Sequence, residues 1–180
     1  KELALRLAVS PTQISKWKKG DHMSSDMDDK LRAITNIGKK DPEFVVWAGS
    51  LEAANKWERL IEYLAVLAIE DAETGYNTEP LQDELELLCW ETFNTLKEMG
   101  VDIPSTFPEE LDFEAEELWE AIESNPHANL IFRIYKALTN VYGFYAAYVA
   151  DLIFDTELDI IETGFAIDAS LLNLAATKLK

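Results

Sequence analysis

The chain has 180 residues, 48% of them apolar, which is enough to build a core and excludes general disorder. A single cysteine, Cys89, excludes an internal disulfide, and its setting (Leu87-Leu88-Cys89-Trp90) reads as a buried helix face, which fits a reducing cytoplasm. The net charge of −18 is unevenly divided: residues 1–40 carry nine Lys or Arg against five Asp or Glu, and the other 140 carry seven against 29. A mildly basic head therefore precedes a strongly acidic body, predicting two parts, 1–40 and 41–180.

From the N-terminus, residues 3–20 have the spacing of two short helices joined by a tight turn. Leu3, Leu7, Val9, Ile14 and Trp17 take the apolar positions that hold such helices together, and Ala4 keeps them close. Ala8 and Val9 make the turn. Ser10 is a good N-cap and Pro11 suits the first helical position, so a second helix is expected over 11–19. Its outward face would show Thr12, Gln13, Ser15, Lys16 and Lys19, the hydrogen-bonding and cationic groups that meet base edges and phosphates.

These residues resemble the lambda-repressor-like, Cro-type (XRE) family of bacterial and phage regulators. The likeness rests on Leu3-Ala4, a small residue at position 8, the Ser10-Pro11 start and the Trp17-Lys18-Lys19-Gly20 ending. It covers about the first 35 residues, including a further helix over Met23 to Ile34. Ala8 stands where glycine is usual, read as a mild change because alanine still allows close packing. The resemblance implies a DNA-binding helix-turn-helix and a further helix upstream of Lys1. A weaker resemblance, to segments that follow the head in some phage-related regulators, rests on residues 41–48 with Ala53, Ala54 and Trp57. It implies that this segment continues the head as a helix.

The body reads as an acidic bundle of about five helices, making the whole chain all-α. Lys39 to Pro42 is the seam, and Gly49-Ser50 a brief break or a tolerated kink. Trp57, Leu60, Ile61, Leu64, Leu67 and Ala68 form one core-facing stripe. Residues 73–80 read as a loop. Leu81, Leu85, Leu88, Thr92, Leu96 and Met99 form a second stripe on one helix, closed by Gly100. Thr106 and Glu109 suggest a capping box for a helix holding Leu111, Leu118, Trp119 and Ile122. Asn125-Pro126 opens a long helix through Phe154, and a final helix, bent at Gly164, spans about Thr156 to Thr177. The apolar run Ala137 to Phe154 has 14 uncharged residues between Lys136 and Asp151. That is too short for a bilayer, and it reads as a central buried helix of a soluble protein.

Enzyme chemistry has little foothold. His22 and His127 have no ligand-spaced partners, and no Gly-rich phosphate loop is present. Glu70 with Glu73, and Glu117, Glu120 and Glu123, have the spacing of a carboxylate metal site, but 34 acidic residues make such spacings commonplace. No catalytic residue, metal or cofactor is expected. Aromatics crowd the penultimate helix (Phe132, Tyr135, Tyr142, Phe144, Tyr145, Tyr148, Phe154) and read as core plus a dimer face, with an effector pocket as the competing reading.

The leading expectation is a cytoplasmic, sequence-specific DNA-binding transcriptional regulator acting on double-stranded DNA as a homodimer. Its DNA-binding set would be Ser10, Thr12, Gln13, Ser15, Lys16, Lys18 and Lys19. An acidic surface repels a phosphate backbone, so the body should face away from the duplex or meet another protein. The alternative is accordingly a protein-interaction module, antitoxin- or antirepressor-like, whose acidic body binds a protein partner.

Overall fold

The computed structural model describes residues 2–76, 78–82, 84–112 and 118–155, with the backbone alone over 152–155. The expected final helix with its Gly164 bend, Glu117, and the Phe154 side chain lie outside the described residues. Within them the fold is all-α, without a strand. The helices are α1 (Glu2–Arg6), α2 (Pro11–Trp17), α3 (Ser25–Thr35), α4 (Pro42–Trp47), α5 (Leu51–Glu70), α6 (Glu79–Gln82), α7 (Leu85–Glu98), α8 (Leu118–Ser124) and α9 (Pro126–Asp155). They fall into two compact units, Lys1–Pro42 and Glu43–Lys180.

In the second unit α5 is the central element, packed against both α7 and α9. Gly49 takes a positive φ of 87° and lies so near the Ser105 carbonyl that a Cβ there would stand 2.1 Å from its oxygen. Ser50 then caps α5, its Oγ accepting from the Ala53 N–H at 3.0 Å. Helical period turns Ala53, Ala54, Trp57, Leu60, Ile61, Leu64, Ala65 and Ala68 inward, and all are buried. Trp57 meets Phe93 and Phe107 edge-on, with centroids 5.4 and 5.1 Å away.

Four expectations change. The stripe beginning at Leu81 is not one helix: Glu84 has an extended ψ of 112°, so Leu81 enters the core from the separate turn α6. The inward face of α7 is Cys89, Thr92, Phe93 and Leu96, while Leu85 and Leu88 are half-buried and Met99 is half-exposed. Thr106 and Glu109 form no capping box. Glu109–Leu111 is a single 3-10 turn, bracketed by extended Pro108 and Asp112 and without a side-chain cap. Segment 42–47 does not continue the head. Phe44 is buried in the body's core, 4.8 Å from the Phe93 ring centroid.

Asn125 opens α9 as its residue type predicts. Its Oδ1 accepts from the N–H groups of His127 and Ala128, and its Nδ2 donates to Glu110 Oε1 at 2.9 Å. Glu110's own backbone N–H, and then this amide, hold its carboxyl below the usual value. His127 Nε2 lies 2.8 Å from the Asp102 carbonyl, so the ring ties the connector to the start of α9.

Helix α9 is not buried all round. Tyr135 and Tyr142 are buried and Phe132 and Tyr145 half-buried, but Phe144 and Tyr148 are 63% and 61% exposed. Thr92 donates its hydroxyl to the Leu88 carbonyl, so in the pair Thr92–Tyr135 the phenol is the donor. Burial pushes the Tyr135 hydroxyl's pKa upward. Gly143 is the point where α9 passes Thr74: a Cβ there would clash with the Thr74 side chain.

Candidate nucleic-acid interface

The head is shaped by two turns of one type. After α1, the Ala8 N–H bonds to the Leu5 carbonyl at 3.2 Å and the Val9 N–H to the Ala4 carbonyl at 3.0 Å, with Ala8 at φ 55°. After α2, the Gly20 N–H bonds to the Trp17 carbonyl and the Asp21 N–H to the Lys16 carbonyl, with Gly20 at φ 91°. Both are Schellman closures, which need a left-handed residue at the crossing point. The requirement at position 8 is thus backbone conformation rather than close packing. Ala8 is a strained substitute for glycine, costing about 1–2 kcal/mol.

Between these closures Ser10 Oγ accepts the Gln13 N–H at 3.1 Å, and Pro11 occupies the first helical position. The helix is shorter than the expected 11–19. It ends at Trp17, and Lys18 and Lys19 lie in the closing turn, because Gly20 lets the chain reverse there. Apolar side chains hold α2 loosely. Ala4 and Leu7 are buried, whereas Leu3, Val9, Ile14 and Trp17 are half-buried.

The seven residues singled out from sequence separate by position. Thr12, Ser15 and Lys16 are exposed and, at 100° per residue, share one face of α2, and exposed Lys19 follows in the closing turn. Gln13 is half-buried on the flank next to Trp17, and exposed Lys18 lies on the opposite flank. Two hydroxyls are already engaged: Ser10 accepts at the cap, and Ser15 Oγ donates to the Pro11 carbonyl at 3.1 Å. Ser10 retains its proton and Ser15 its lone pairs for a further partner.

Two of the head's arginines are committed locally. Arg6 pairs with Glu2 at 2.7 Å, and Arg32 pairs with Asp28 at 2.8 Å. Arg32 Nη1 also donates to the Gly38 and Lys40 carbonyls, pinning the chain that leaves α3. Among the described residues Lys16, Lys18 and Lys19 have no carboxylate partner. The arrangement offers an amide, three hydroxyls and three ammonium groups along about three turns of chain. Such groups can bind phosphate oxygens and base edges.

Other candidate sites fare differently. No group of three His, Cys, Asp or Glu among the described residues is placed to hold a metal. No helix among them is long and apolar enough to cross a membrane. An open groove of about 430 Å³ lies on the body, between α5 and the α6–α7 segment, lined by Val66, Ile69, Leu85 and Leu88 with Glu62 and Glu70 at its edge. It is not at the tyrosines of α9. The sequence pattern does not mark it, because helical period sets Leu85 and Leu88 on the buried stripe. Comparison with protein-family models, curated proteins and solved structures finds no match.

Proposed function

We propose that the chain is a sequence-specific DNA-binding transcriptional regulator that works as a homodimer and lays α2 in the major groove. The observation that carries this reading is the exposed face of Thr12, Ser15 and Lys16 on a helix capped by Ser10, followed by exposed Lys19 in the closing turn, both lysines without a carboxylate partner among the described residues. Thr12, Gln13 and Lys16 read base edges from the N-terminal half of α2, the end that helix-turn-helix proteins insert deepest. Ser15, Lys18 and Lys19 bind phosphates and set the register, and Ser10 fixes the angle at which the helix starts. Two heads spaced roughly 34 Å apart, one duplex turn, supply the specificity that one head lacks.

An operator selected from random duplexes provides the test. Gln13→Ala costs about 1–3 kcal/mol at one base position and leaves the others unchanged. Lys19→Ala weakens binding to every sequence alike and lowers the salt slope by about 1. If both variants bind the selected operator as tightly as the parent, α2 is not the reading element.

A further inference from the structure

We infer that the exposed stripe of α9 is a self-pairing surface, on which a second copy of this chain docks its own α9 antiparallel across a two-fold axis. The stripe consists of Arg133, Ala137, Val141, Phe144, Tyr148 and Asp151, all exposed. Their separations alternate between four and three residues after Ala137, the spacing of a helix–helix seam. From Arg133 to Asp151 the stripe runs about 27 Å at the helical rise. Phe144 and Tyr148, 63% and 61% exposed, are the largest apolar groups on it. Helical period sets them opposite the buried face of α9 formed by Ile131, Tyr135, Thr139 and Tyr142.

Charge restricts what can cover this face. Residues 41–180 carry seven Lys or Arg against 29 Asp or Glu, so two bodies repel each other over most of their surface. The run 137–150 has no charged residue and is where two copies meet at least electrostatic cost. The charges that bound the stripe are of opposite sign, Arg133 at one end and Asp151 at the other. Neither has an ion-pair partner among the described residues.

Antiparallel pairing makes the stripe complementary to itself. A two-fold axis at Tyr142–Gly143 sets Arg133 beside the partner's Asp151, Ala137 beside the partner's Tyr148 and Val141 beside the partner's Phe144. Each large ring thus meets a small side chain, and each end is closed by an ion pair, every contact occurring twice as isologous symmetry requires. A parallel pairing stacks Arg133 on its own copy, Asp151 likewise, and the two rings ring-on-ring. The same patch has no such match to a generic acidic or apolar protein surface.

This surface deepens the homodimer in the reading above and is tested apart from DNA. Sedimentation equilibrium of the intact chain without DNA gives a two-copy mass at concentrations on the order of 10 µM. Phe144→Asp weakens the dimer at least about thirtyfold, as expected for a central aromatic anchor, with helix content by circular dichroism unchanged. Arg133→Asp weakens it about tenfold, and the double variant Arg133→Asp/Asp151→Arg restores it to within about threefold. A single-copy mass for the parent, an undisturbed dimer in Phe144→Asp, or a charge swap that fails to restore association overturns the proposal. A dimer that binds no DNA contradicts the head reading instead, and a monomer that binds DNA contradicts the pairing and the homodimer but not the head reading.

Discussion

The two units are held together by different means. The body has a packed interior in which Trp57, Phe44, Phe93, Leu60, Ile61 and Leu64 are each at most 1% exposed. Among its described residues the head buries only Ala4 and Leu7, with α3 contributing no buried residue. Its shape comes from hydrogen-bonded closures: the Schellman turns at Ala8 and Gly20, the Ser10 cap and the Arg32 tether to the Gly38 and Lys40 carbonyls. A unit ordered by its turns can present a short helix accurately while spending few residues on packing. The cost is that its local stability rests on individual backbone conformations.

The contrast predicts where single substitutions act. Trp57→Ala, which empties the space between Phe93 and Phe107, destabilises the body by about 3–5 kcal/mol, read as a lowered denaturant midpoint. In the head no side-chain truncation reaches that size. Arg32→Met removes the links to Asp28, Gly38 and Lys40 and costs about 1–2 kcal/mol, seen as faster amide exchange across α3. Ser10→Ala costs about 1 kcal/mol and raises exchange at the Gln13 amide, which loses its cap. Ala8→Gly runs the other way. Relieving the left-handed alanine slows exchange of the Val9 amide and stabilises the head by about 1 kcal/mol. If a head packing variant such as Ile14→Ala proved as costly as Trp57→Ala, the contrast between the units would collapse.

The smallest effect belongs to the body. Glu110 is held below its ordinary value of 4.5 by its own N–H and by Asn125. A depressed carboxylate contributes stability that is present above its unfolded value and is lost as pH falls through the folded one. Glu110→Gln therefore lowers the neutral plateau slightly and flattens the loss of stability below about pH 4.5. An acid limb unchanged by this variant removes the Glu110–Asn125 link from the account.

Local signals in the sequence were most readable where one residue type has one use. Ser10-Pro11, Ser50, Gly100 and Asn125-Pro126 each mark a boundary because their cap or turn chemistry has few alternatives, and each forms the expected boundary. Periodicity was less decisive. In α7 the leucines at 85 and 88 and the Cys89–Phe93 pair offer two adjacent faces of similar apolarity. Only the tertiary packing of Phe93 onto Phe44 and Trp57 selects the second. Asp83 and Glu84 carry no strong breaker, so the interruption at Glu84 had no local mark. For α9, an uncharged run reads as buried whether it faces a core or another helix, which is why the exposed Phe144 and Tyr148 were not separable from Tyr135 and Tyr142.

The candidate interface was legible in part. The outward positions of Thr12, Ser15 and Lys16 follow from helical period alone once Ser10 and Pro11 set the start. The half-buried flank position of Gln13 and the bond from Ser15 to the Pro11 carbonyl required the packed structure. Nor does an alanine at position 8 disclose its left-handed conformation; two backbone bonds from residues 8 and 9 impose it.

The central claim is that the head engages a phosphate backbone through α2 and its closing turn. Fluorescence anisotropy of the intact chain on labelled random duplex DNA, across a salt series, tests it most directly. Binding that weakens steeply as salt rises, with a slope of several counterions, is the predicted result. A folded protein that shows no binding at low salt would contradict it.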